Sequence, residues 1–140
     1  MLLLLLPSLS LLSIGIKRAI DEGIVKREDL FITSKLWNTY HEQQYVELAI
    51  RKSLKDLGLD YLDLYLIHFP IAQKYVDFNE RYPPEWIHDP KAENPKIERI
   101  NVPYLETWRA MEQLKIKGLT KHIGCCNINV QMLMELQVSI

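Results

Sequence analysis

Tyr61-Leu62-Asp63-Leu64-Tyr65-Leu66-Ile67-His68-Phe69 is the stretch on which the fold turns. Leu62, Leu64 and Leu66 alternate with Asp63, Tyr65 and Ile67, and only one interior side chain is charged, so the sequence predicts a strand buried on both faces. Strands of that kind belong to parallel sheets covered by helices. Upstream, Thr39-x-x-Glu42 has the form of a capping box, and Val46, Ala49, Ile50, Leu54 and Leu57 follow at helical spacing until Gly58 ends the run. Before that helix a strand is expected at about Leu30 to Lys35. Earlier still, Ile16, Ala19 and Ile20 share one face of a short helix that Gly23 closes as a left-handed cap.

Downstream, residues 70–100 hold five prolines, two aspartates, two asparagines and little periodicity. They predict a long loop, and long loops inside compact folds are usually functional. Helical spacing returns at Leu105, Trp108, Met111 and Leu114, with Asn101 as N-cap, Pro103 in the first turn and Gly118 as the stop. A strand at about Lys121 to Cys126 then leads into a short helical pattern at Val130, Leu133, Met134 and Leu136.

Strand and helix therefore alternate, which predicts an α/β fold with a parallel sheet. A doubly wound nucleotide fold would carry Gly-x-Gly-x-x-Gly at a strand–helix turn, and Gly15, Gly23, Gly58, Gly118 and Gly124 never fall in that pattern. A βα barrel instead places its working residues at the C-terminal ends of strands, and here the strands end in Lys35, His68 and Asn127. A whole barrel takes about 250 residues, roughly 31 per unit, so this chain is expected to hold about four units. The fold expected is thus a partial (β/α)8 TIM barrel, about half of one.

The 140 residues carry 17 Lys+Arg against 18 Asp+Glu, a formal net charge of -1, and 48% are hydrophobic. Such a balance gives no basic surface for a phosphate backbone, so nucleic acid is not an expected partner. Cys125 and Cys126 are adjacent and lack metal-ligand spacing, which predicts free thiols, no metal site and an intracellular, cytoplasmic setting. Eight leucines crowd Met1 to Leu12 and no charged side chain precedes Lys17. Residues 1–15 are read as an apolar segment apart from the fold, a spurious start rather than a signal, with a secretory signal as the alternative. Interrupted by Pro7, the segment is too short for a membrane span of about 20 residues. Residues 16–140 then form one partial barrel.

Chemistry is expected where strand faces end. Phe31, Thr33 and Lys35 share one face, and Leu62, Leu64, Leu66 and His68 another. An ammonium beside a phenol lowers the phenol's pKa, and a histidine can donate a hydrogen bond to a substrate oxygen. Taken alone, such a lysine usually reaches for water and such a histidine is usually a satisfied core residue. Trp37 and Phe69 follow directly and could wall an apolar mouth or simply cap the core. Asn127 could present its amide to a cofactor carboxamide, or serve as N-cap of the last helix.

Three strings carry more weight together: Thr33-Ser34-Lys35-Leu36-Trp37-Asn38, Asp60 through Pro70, and Leu119-Thr120-Lys121-His122-Ile123-Gly124-Cys125-Cys126-Asn127. In this order and at these separations they resemble the aldo-keto reductase family, and Tyr82-Pro83-Pro84-Glu85-Trp86 resembles its xylose and aldose reductase branch. The resemblance runs from about Gly15 to the C-terminus. It implies a (β/α)8 barrel that uses NADPH, or NADH, to reduce small aldehydes and ketones. It also implies that Lys35 tunes a proton-donating tyrosine and His68 orients the carbonyl. Trp37 and Phe69 match its substrate-binding aromatics, and Cys126 with Asn127 matches the Ser-Asn pair that holds the nicotinamide carboxamide. Cysteine for serine is a departure that should loosen that hold. The family's catalytic aspartate and tyrosine have no counterpart here, because the leucine-rich opening stands where they should be. The chain alone is therefore expected to be inactive, and its open barrel edges are expected to favour self-association. The alternative is a non-catalytic binding protein that keeps the scaffold.

Overall fold

The computed structural model describes residues 6–82 and 84–140. The first five residues of the leucine-rich opening, and Pro83 of the Tyr82–Trp86 string, lie outside the described residues. Helix α1 spans Leu6–Asp21, β1 Thr33–Leu36, α2 Gln43–Leu57, β2 Leu62–Ile67, α3 Tyr104–Ile116, β3 Thr120–Cys125 and α4 Val130–Gln137, with 3-10 turns at Arg27–Asp29 and Asn38–Tyr40. The strands form one parallel sheet in the order β1-β2-β3. Sequential parallel order is the winding of successive βα units in a barrel. Among the described residues there are three βα units where the sequence predicts about four. The long loop at 70–100 takes up the length of the missing one.

The elements follow from local chemistry, including where they depart from expectation. Strand β1 begins at Thr33, not Leu30, because the Ile32 amide donates to Asp63 Oδ2 at 2.9 Å instead of joining a ladder. Thr39 does not cap α2. It sits in the 3-10 turn, and Glu42 takes the N-cap position without a side-chain hydrogen bond. Helix α2 is instead fixed by its apolar stripe of Val46, Ala49, Ile50, Leu54 and Leu57, all buried. Gly58 ends it with φ +66, a left-handed conformation that favours glycine. Pro103, not Asn101, is the N-cap of α3. Helix α1 runs through Gly15 without a break.

Strand β2 is covered by helices on one face, and on the other Leu62 is buried at the strand's start. Tyr65 and Ile67 are fully buried in one cluster with Leu36, Ile50, Met111 and Leu114, while Leu64 and Leu66 on the opposite face stay half-buried. Helices α2 and α3 pack together over the first face. Among its described residues the 70–100 loop carries no helix or strand beyond an isolated Gln73–Arg99 bridge. Its ends are drawn together where Lys74 N donates to Glu98 O at 2.9 Å and Ile100 N to Ala72 O at 3.1 Å. Tyr75 stacks on Tyr45 with centroids 3.8 Å apart, and Phe78 lies 4.8 Å from Tyr40, so aromatic contacts hold the loop against α2.

At the N-terminal end of the sheet Asp63, 5% exposed, joins three segments. It accepts from Ile32 N, pairs with Arg27 at 2.9 Å and with Lys121 at 3.0 Å. Burial pushes its carboxyl up, but the Ile32 amide, Lys121 and Arg27 outweigh burial and hold it below the ordinary carboxylate range.

Candidate active site

The ladder sets the opposite end of the sheet. Lys35 pairs with Leu66 and Leu66 with Gly124; one step on, Leu36, Ile67 and Cys125 align. His68 N then donates to Leu36 O and Cys126 N to Ile67 O, each at 3.0 Å, which carries the register one residue past the strands. By alternation Lys35, Trp37, His68 and Cys126 share the face turned away from α2 and α3. Gly124 leaves room on that face, since a Cβ there would stand 2.8 Å from Leu66 Cδ2.

His68 is buried, at 7% exposure. Burial first and the Lys35 charge second push its imidazole pKa down, so the ring is neutral at neutral pH and keeps one N–H to donate. Among the described residues no protein group hydrogen-bonds that ring. Lys35 is half-buried, and none of the ion pairs of the described residues includes it.

Around His68 stands an aromatic wall. The Trp37 centroid is 5.2 Å from His68, 6.1 Å from Phe69 and 5.2 Å from Trp86, and Phe69 lies 4.4 Å from His68 and 4.9 Å from Trp86. Trp86 arrives from the long loop, tethered by Gln73 Nε2 donating to its carbonyl at 3.2 Å. The strand faces alone do not assign Trp86 to this wall. The signal was there, an aromatic residue in a proline-rich loop between two strands whose ends carry aromatic residues.

Cys126 and Asn127 lie beside His68 and are bonded to it. Asn127 Nδ2 donates to His68 O at 2.7 Å, and Cys126 Sγ stands 3.1 Å from the same oxygen and 3.4 Å from Ile67 O. Asn127 adopts φ +56, a left-handed conformation that asparagine tolerates. It does not cap α4. Asn129 does, its side chain accepting from Met132 N at 2.8 Å.

All seven tyrosines lie elsewhere. Tyr40, Tyr45, Tyr75 and Tyr82 belong to the loop–α2 aromatic cluster, and Tyr65 to the core. Arg27 and Lys121 lie over the Tyr61 ring, and Tyr104 opens α3 with its hydroxyl close to Cys125, the residue whose neighbour Cys126 faces His68. Among the described residues no group of His, Cys, Asp and Glu could hold a metal ion, and no helix is long and apolar enough to cross a membrane.

A family model described as Aldo/keto reductase family matches residues 9–139. A probable NAD(P)H-dependent D-xylose reductase of Aspergillus clavatus is 56% identical over 122 residues, covering 87% of this chain and 36% of that protein. An NADH-dependent D-xylose reductase of Candida parapsilosis is 53% identical, with 87% and 37% covered. Of solved structures, the aldose reductase of Schistosoma japonicum superposes with a TM-score of 0.82 at 36% identity, over 94% of this chain and 41% of that one. A Bombyx mori aldo-keto reductase in complex with NADP gives 0.78 at 39% identity, over 96% and 37%. The parallel sheet is thus part of a barrel of this kind. The chain spans about a third of the length of the curated relatives it matches.

Proposed function

The chain belongs to the aldo/keto reductase family, and from that premise we propose that the Lys35–His68 face is the carbonyl-binding part of an NAD(P)H-dependent reductase acting on small aldehydes and ketones, open-chain sugars among them. One observation carries the reading: Lys35 and His68 leave adjacent paired strands on the same face, beneath a wall of Trp37, Phe69 and Trp86. A neutral imidazole donates to a carbonyl oxygen and fixes its direction, and the aromatic wall excludes water from that contact. The buried Trp37 Nε1–H, without a partner among the described residues, is a second unpaired donor beside it. Lys35 places a positive charge where negative charge develops on the carbonyl oxygen.

The residues fit a nicotinamide on its acceptor side. Asn127 Oδ1 has no donor among the described residues and is free to receive a carboxamide N–H, whereas Asn127 Nδ2 and the Cys126 thiol are turned toward His68. When bound, the dinucleotide would supply the hydride. The relatives named for D-xylose use NADH or either dinucleotide, and either suits the groups here. The free thiols of Cys125 and Cys126 favour a reducing compartment, which makes the cytoplasm the proposed location. Strands β1 and β3 each pair on one side only among the described residues, and we propose self-association through those edges. A second reading, a non-catalytic binding protein, is favoured by the placement of every tyrosine away from Lys35.

The test is a titration of the chain with NADPH, then NADH, then glyceraldehyde, followed by nuclear magnetic resonance. The reductase reading expects the Asn127 side-chain amide and the Trp37 and Trp86 indole signals to move with the dinucleotide. No movement at millimolar ligand would overturn it.

A further inference from the structure

We propose that the thiol of Cys126 is a positioning residue for His68: with the side-chain amide of Asn127 it grips the His68 main-chain carbonyl from the neighbouring strand and so fixes the depth at which the imidazole stands beside Lys35. The role assigned to the imidazole rests on the reductase reading above; the grip itself does not.

The β2–β3 ladder ends with Cys126 N donating to Ile67 O, so the next carbonyl, that of His68, lies past the last ladder bond to β3. A carbonyl next to a buried ring needs a donor from somewhere. The chain supplies two from the turn after β3. Asn127, with φ +56, turns the backbone out of the strand and brings Nδ2 to 2.7 Å from His68 O. Cys126 falls on the same face as His68 and brings Sγ to 3.1 Å from that oxygen, with Ile67 O at 3.4 Å. The second Nδ2 hydrogen of Asn127 faces Sγ at 3.6 Å, which links the two donors.

For the grip to work Cys126 must be a donor, hence a thiol and not a thiolate. Burial raises its pKa, with the Lys35 charge opposing, so the proton stays on sulfur at neutral pH. With the His68 peptide held, only side-chain rotation remains, and Trp37 and Phe69 limit that. The groups facing the imidazole that titrate are Lys35 from β1 and Cys126 from the β3–α4 turn; Trp37 and Phe69 are neutral.

A grip of this kind differs from general stabilisation. Apart from its longer contact to Ile67 O, whose ladder bond from Cys126 N remains, the Cys126 side chain is not part of the core cluster, so its loss should be felt mainly at His68. The experiment is an imidazole titration of the full chain by nuclear magnetic resonance, in the wild type, Cys126→Ala, Cys126→Ser and Cys126→Ala/Asn127→Ala. The expected result is a His68 midpoint that rises toward its ordinary value near 6.5 as the ring loosens into water in the double variant. Cys126→Ser, which keeps a donor, restores the wild-type His68 value. A His68 midpoint unchanged in the double variant overturns the proposal. Should the double variant fail to fold, the Ala and Ser single variants decide it, since equal midpoints in the two would refute the grip. Failure of the reductase reading would show separately, as unresponsive Asn127 and Trp37 signals on adding NADPH while the Cys126 effect persists.

Discussion

The indole of Trp37 and the imidazole of His68 meet edge to face, their centroids 5.2 Å apart and their planes at 61°. That contact makes Trp37 a reporter of the charge on His68, because an imidazolium quenches a touching indole. Burial and Lys35 push the His68 pKa down. Fluorescence should therefore stay level through neutral pH and fall with a midpoint below the ordinary 6.5. Trp37→Phe should remove most of the fall. A midpoint at or above 6.5 would contradict the burial of the ring.

His41 predicts an acid-sensitive fold. It is 2% exposed, its Nε2 has no partner among the described residues, and burial lowers its pKa to about 4. A lowered folded-state value means that the unfolded chain binds the proton more readily. Stability from this residue is complete above 6.5 and is lost as pH falls toward 4, by roughly 2–3 kcal/mol. Urea unfolding at pH 7.5 and 4.5 measures the loss, and His41→Gln should reduce it, leaving the share that His68 contributes. The paired carboxylates Asp63 and Glu47, held below their ordinary range, act at lower pH, whereas His68, also pushed down by burial, loses stability in the same direction as His41.

Asp63 predicts the costliest polar substitution. Asp63→Ala strands Arg27, whose side chain is 17% exposed, and leaves the Ile32 amide without its acceptor. Loss of one partner of a buried pair costs about 3–5 kcal/mol. Lys121→Ala, at a side chain 50% exposed, should cost under about 1 kcal/mol. Equal losses for the two would show that the cluster does not depend on the buried partner.

Turnover by these 140 residues should be absent. No tyrosine stands beside Lys35, and a positioned proton donor contributes about 10²–10⁴-fold. Following NADPH absorbance with glyceraldehyde checks this. Oxidation at a rate within tenfold of a whole xylose reductase would mean that another group delivers the proton.

Much of this architecture was legible because period and punctuation agree. Leu62 to Ile67, the α2 stripe and the glycines after α2 and α3 each combine a spacing with a stop. The errors have a common cause, which is that tertiary partners reassign local signals. Ile32 reads as strand until Asp63 captures its amide; Thr39 reads as a cap until the Trp37–Tyr40 turn buries it; β2 reads as covered twice although helices lie on one face. In the site, Lys35, Trp37 and His68 were legible by alternation from the strand ends. The hold of Cys126 and Asn127 on His68 was not, since it depends on the φ of Asn127 and on a β2–β3 register that only the folded chain reveals.

Self-association is the last expectation, and two surfaces contribute to it. Strands β1 and β3 present unpaired backbone among the described residues, next to the half-buried Leu64 and Leu66. Helix α4 is anchored by Leu136 alone and turns Val130, Met134 and Val138 toward solvent in one row at i, i+4 spacing. An exposed apolar row beside an open edge lowers the free energy of pairing with a second copy. Sedimentation velocity from about 5 to 200 µM should show a weight-average mass that rises with concentration, as expected for edge contacts of micromolar strength. Met134→Lys weakens the helix contribution without touching the sheet. If it abolishes the rise, α4 carries the contact; if the rise survives, the strand edges do. A mass constant at one chain across the whole range would mean that neither surface pairs.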